Sequence, residues 1–118
     1  MCTVPVTVAK QSFLGLSASM SPVAVYTPPA AGDFMILIST YATPFVGSGG
    51  GSGQAGITYT DPDVGAWSAA NTAANPASVS SSIAYIRSAG SQPINVTSIW
   101  FSSDPTETYN VYITIIQI

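Results

Sequence analysis

Few residues in this chain can do chemistry. Of its 118 residues five are acidic and two are basic, and there is no histidine. Asp61 and Asp63 stand two apart across Pro62 in the stretch GITYTDPDVGAW, residues 56 to 67, and form the tightest pair of carboxylates. Three chemistries compete for them. Glycoside hydrolysis needs two carboxyl groups held in a cleft, one with a raised pKa, and the flanking sequence supplies no apolar cleft. Calcium takes oxygen ligands and tolerates acidic turns, which makes Asp61 and Asp63 weak metal candidates. A turn asks for less: an Asp accepts from a backbone N–H two residues on, and Pro fixes φ at the next position. The Asp-Pro device recurs at Asp104-Pro105 without a second Asp, which favours turn chemistry.

The rest of the inventory points away from catalysis. Without histidine there is no triad of the usual kind and no His-based metal site. The Gly-Ser run lacks the Lys-Ser/Thr ending and the helix of a phosphate loop. No catalytic residue and no cofactor are expected, and the chain reads as a non-enzyme. Cys2, the single cysteine, offers no internal disulfide. It reads as an incidental residue rather than a lipidated or intermolecular thiol.

Composition narrows the partners. Charged residues are 6% and apolar residues 47% of the chain, against about 25% charged in an average soluble protein. Lys10 and Arg87, the two cations, are too few to neutralise a nucleic-acid backbone, so no nucleic-acid partner is expected. The longest apolar run, Phe34 to Ile38, is far too short to span a bilayer. The N-terminal residues show no signal-peptide pattern, and no membrane insertion is expected. A neutral, hydroxyl-rich surface suits an assembly or the cell exterior better than a free cytosolic monomer.

Val, Ile, Thr and Tyr dominate, broken by Pro, Gly and Ser clusters, and no window holds a helical period. The pattern predicts strands at Val4–Ala9, Ser12–Ser17, Val23–Thr27, Phe34–Ala42, Ala55–Thr60, Ala66–Ala70, Val79–Arg87, Ile94–Phe101 and Thr108–Gln117. Eight or nine short strands in one domain, residues 1–118, predict an all-β sandwich with jelly-roll topology. The segment GSGGGSG, Gly47 to Gly53, reads as an exposed spacer between Phe45-Val46 and Ala55-Ile57. Both faces of the strand Phe34–Ala42 carry apolar side chains, and so do those of the last strand. A sandwich has one wet face per sheet, so something must cover the other side, and a second copy of the same chain is the economical candidate. Phe34, Met35, Leu37, Tyr41, Tyr112 and Ile116 are the expected interface.

Several segments carry a resemblance. In VYTPPAAGDFMILISTYAT a Tyr and two Pro lead through Ala-Gly into a long apolar strand. GITYTDPDVGA opens a turn, NTAANP resembles an Asn-Thr loop, AYIRSAGSQPINVTSIW a strand, turn and strand, and TYNVYITIIQI a closing strand bearing Tyr. In this order, from about Tyr26 to Ile118, the chain resembles short phage and bacterial structural β-proteins. It is also similar to trimeric jelly rolls of the C1q and tumour-necrosis-factor type. The resemblance implies a homotrimer assembled through sheet faces, in a virion or extracellular assembly such as a phage tail, fibre head or decoration module. It allows other virion or surface proteins as partners. The alternative is a receptor- or glycan-binding head, in which Trp67, Asn71 and Asn75 would meet the sugar, since aromatic faces stack on sugars and amides hydrogen-bond to them.

Overall fold

The computed structural model describes residues 4–42, 52–74, 79–101 and 107–118. Every regular element among them is a strand: β1 (Val6–Leu16), β2 (Met20–Tyr26), β3 (Gly32–Ala42), β4 (Ser52–Asp61), β5 (Gly65–Ala74), β6 (Val79–Ser88), β7 (Ile94–Phe101) and β8 (Tyr109–Gln117). They form two four-stranded sheets, sheet I in the order β1-β8-β3-β6 and sheet II in the order β2-β7-β4-β5. All the neighbours are antiparallel.

The strand order has a simple origin. β1 pairs with β8, β2 with β7, β3 with β6, and β4 with β5. The chain is thus one long hairpin with its tip at β4–β5, rolled up until β3 meets β8 and β4 meets β7. That is the expected jelly roll. The roll places alternate residues of β3, β6, β7 and β8 inside. Phe34, Ile36 and Ile38 of β3 meet Ile57 of β4, Ile94 and Val96 of β7, and Val111, Ile113 and Ile115 of β8 in one core.

Two hydroxyl clusters tie the layers at one end of this core. Thr72 Oγ1 accepts from the Ala55 N–H at 3.1 Å and donates to the Ala55 carbonyl at 3.3 Å. The Thr40 hydroxyl reaches across from sheet I to Thr72 Oγ1 at 2.6 Å. Ser98 Oγ accepts from the Met20 N–H at 3.1 Å and lies 2.6 Å from the Tyr109 hydroxyl, which donates to the Ala18 carbonyl at 2.6 Å. A buried hydroxyl is tolerated only when its bonds are made, and these are. The Trp100 ring stacks on Tyr109 at 4.7 Å between centroids.

The structure corrects three boundaries. Val4–Ala9 and Ser12–Ser17 are one strand, because Lys10 and Gln11 pair with Thr114 and Ile113 and the irregularities fall at Thr7/Ala9 and Phe13/Leu16. Asn71 and Thr72 are not in a loop: they continue β5 past a bulge at Ala70, so the strand ends at Ala74. Ser52 and Gly53 already belong to β4. Gly53 is buried rather than part of an exposed spacer, since a Cβ there would sit 3.3 Å from Thr40 Cγ2 and 3.4 Å from the Trp100 ring. Cys2, Phe45, Val46, Gly47 to Gly51, Asn75 and Asp104-Pro105 lie outside the described residues.

Candidate functional site

The aspartate pair resolves into a turn and an ion pair. Asp61 Oδ1 accepts from the N–H of Asp63 at 2.7 Å and of Val64 at 3.2 Å. Asp61 pairs with Gly65 across a three-residue loop, and Gly65 has φ +80°. A three-residue hairpin loop needs a left-handed residue at this place, which glycine supplies without strain. The Asp63 carboxylate accepts from the Arg87 guanidinium on β6, and both side chains are exposed. That hydrogen bond, followed by the charges of Asp63 and Asp61, holds the Arg87 pKa above its ordinary value. Burial, with the Asp61 charge adding to it, raises the Tyr59 phenol, and Arg87 works against that. Among the described residues no three metal-ligating side chains converge. Asp61 spends one oxygen on its own turn, and Asp63 is engaged by a cation.

The outer face of sheet I is built differently. Alternation puts Met35, Leu37, Ser39 and Tyr41 of β3 outside, opposite to the buried set. Register aligns them in rows across the sheet. Thr7, Ile116, Met35 and Tyr85 form one row, Lys10, Thr114, Leu37 and Ile83 the next, and Ser12, Tyr112, Ser39 and Ser81 the third. Tyr41 lies between Asn110 and Val79. Tyr85 is 74% exposed, Val79 63% and Ile83 60%, while Met35, Leu37, Tyr41 and Ile116 are half-buried among them. Within the serine row Ser39 and Ser81 bond to each other at 2.8 Å, so even those hydroxyls have a partner.

Five of the six expected interface residues, Met35, Leu37, Tyr41, Tyr112 and Ile116, share this face. Phe34 does not. It is 1% exposed, points into the core with Ile36 and Ile38, and meets the Tyr26 ring edge-on at 6.0 Å. The strand period of two makes the assignment strict: a residue adjacent to Met35 must face the other way. Sequence reasoning missed Val79, Ile83 and Tyr85. Their common parity in VSSSIAYIRS was a signal, but Ala84 and Ile86 carry apolar side chains on the opposite parity.

The outer face of sheet II is largely polar, with Ile99 exposed on it. Gln54, Thr58 and Thr60 of β4 stand outside, opposite to the inward Ala55, Ile57 and Tyr59. Asn95 and Thr97 lie beside Thr58 and Gly56 in the register of β4 with β7. Of the expected sugar contacts, Asn71 lines a dent of about 160 Å³ with Gln54, Gly56, Thr97 and Ile99. Trp67 is 58% exposed and borders a separate depression with Thr58, Ala66 and Ser68. The structure does not bring Trp67 and Asn71 together.

No protein-family model and no curated protein sequence matches this chain.

Proposed function

We propose that the chain is a non-enzymatic structural module that self-assembles through the outer face of sheet I. The observation that carries this reading is the exposed apolar surface of Met35, Leu37, Tyr41, Val79, Ile83, Tyr85, Tyr112 and Ile116 on one side of a four-stranded sheet. Soluble monomers rarely leave an apolar patch of this kind open. The occupant we favour is another copy, arranged as a homotrimer. The resemblance to C1q and tumour-necrosis-factor jelly rolls supports that number, and the near absence of charge suits a surface crowded by copies. The same resemblance supports a place in a virion or an extracellular assembly, as a tail, fibre-head or decoration module. The engagement of Asp61 and Asp63 in a turn and an ion pair, and the lack of histidine, support a role without catalysis.

The test is the mass of the native protein by sedimentation at micromolar concentration, beside a Tyr112→Asp variant. Assembly of the native protein and dissociation of the variant are expected, because a charge left unpaired in a dry interface costs several kcal/mol. A native monomer under these conditions refutes the reading.

A further inference from the structure

The backbone of sheet II is distorted where β4 meets β5, and this distortion aims a side chain. Between Ala55 and Ile57 the register of β4 with β5 shifts, and Ala70 opposite takes a left-handed φ of 57°. Alanine gains nothing local from that conformation, unlike glycine or asparagine. Bulges of this sort re-aim side chains, and they gather at binding sites. Here the residue re-aimed is Asn71. Its amide oxygen points at Gly56, where a Cβ would stand 2.5 Å from Asn71 Oδ1. A glycine inside a strand marks a close approach to the backbone, and it is this amide that approaches.

The surroundings define a ligand. Asn71 and Gln54 are both exposed, and neither side chain bonds to another described residue. They present amide donors and acceptors over the same dent. Thr97 donates its hydroxyl proton to the Met20 carbonyl at 3.2 Å, which leaves its oxygen free to accept. Ile99, 49% exposed, gives one apolar wall. The lining residues include no charged group. The dent holds about 160 Å³, below the ~300–1,000 Å³ of drug-sized sites. It has the size and polarity for one neutral ring with hydroxyls on its edge and a C–H face.

We propose that the dent at Gln54, Gly56, Asn71, Thr97 and Ile99 binds a neutral saccharide, one pyranose residue at a time. The amides and Thr97 take the hydroxyls, and Ile99 takes the C–H face. The site is on sheet II, so it does not depend on the assembly read from sheet I.

The probe is a titration of the intact, isotope-labelled protein with methyl glucoside, methyl galactoside and N-acetylglucosamine, followed by backbone amide NMR. At least one sugar should shift the amides of Gly56, Asn71 and Ile99 with a Kd on the order of 1 mM, in keeping with a small ligand on a shallow site. Asn71→Ala should weaken that binding at least tenfold. Gly56→Ala should do the same by displacing the Asn71 amide, and native-like spectra elsewhere will show that both variants fold. Saturable shifts that persist unchanged in both variants, or no shift at these amides with any of the three sugars up to 50-fold above that Kd, on the order of 50 mM, would overturn the proposal.

Discussion

The two sheets of this protein are alike inside and opposite outside. Each contributes an aliphatic inner layer: Ile36, Ile38, Ile113 and Ile115 from sheet I, Ile57, Ile94 and Val96 from sheet II. Outside, sheet I shows Leu37, Ile83 and Tyr85 where sheet II shows Gln54, Thr58 and Asn95. Burial on folding explains the inner layers, because it is worth about 25 cal/mol per Å² of apolar surface. It does not explain why rows of apolar side chains cross one outer face while the other is largely polar, with Ile99 exposed among Gln54, Thr97 and Asn95. With the same strand period, the same chain and the same solvent, the asymmetry marks what each face meets after folding. We read sheet I as the covered face and sheet II as the one left open.

The sharpest way to break this comparison is to place the same charge on each face. Ile83→Asp should weaken association by about 3–5 kcal/mol, at least ~100-fold in the association constant. Gln54→Asp should leave the assembled mass unchanged. Equal effects in a sedimentation series would erase the distinction between the faces.

A smaller effect probes the ties between the sheets. Tyr109→Phe removes the acceptor of Ser98 and the donor to Ala18, and should cost about 1–3 kcal/mol in a denaturant titration. It should also change the alkaline limb. Burial raises the Tyr109 pKa above 10.0, outweighing the opposing Ser98 hydrogen bond. A raised phenol favours the protonated form in the fold, so its contribution is complete below about pH 10, the unfolded value, and is lost as pH rises past it. Tyr59 is raised in the same direction. Stability should therefore fall above about pH 10, and Tyr109→Phe should flatten part of that slope.

The smallest effects lie in the β4–β5 turn. Asp61→Ala removes the acceptor of two backbone N–H groups and should cost about 1 kcal/mol. Asp63→Asn should leave the melting temperature unchanged at physiological salt, because exposed ion pairs contribute little. A chelator should have no effect on either protein. Loss of thermal stability on chelation, restored by calcium and absent in Asp63→Asn, would show a cation site in the turn.

Much of the architecture was written in the sequence, for reasons that can be named. Strands of alternating Val, Ile and Tyr bounded by Gly and Pro mark β structure whatever the register, and β3, β6, β7 and β8 fall within a residue or two of their expected bounds. Asp61-Pro62 specifies its turn locally, so its chemistry was readable too. What depends on long-range pairing was not. The continuity of β1 through Lys10 and Gln11 is imposed by β8, about a hundred residues away. The bulge at Ala70 is invisible because alanine has no preference for a left-handed φ, and it carried Asn71 and Thr72 out of an expected loop into a strand. Phe34 was grouped with the wrong face because both parities of β3 are apolar, and only the opposing sheet decides which is inside. The dent beside Asn71 draws on β4, β5 and β7, and no single segment announces it.

The rolled-hairpin pairing also sets a timetable. Among the described residues only β4–β5 joins neighbours in the chain across a tight turn; each outer pair must close a longer loop, at an entropy cost that rises with length. Zipping outward from that tip is the cheapest route, so β1–β8, where Val6 meets Gln117, closes last. Chains dominated by such distant pairings fold in milliseconds to seconds. The half of the sheet I face that carries Tyr112 and Ile116 is therefore completed at the end of folding. A chain caught midway displays loose edges but not the finished apolar surface, so the assembly we propose would be reserved for molecules that have already folded.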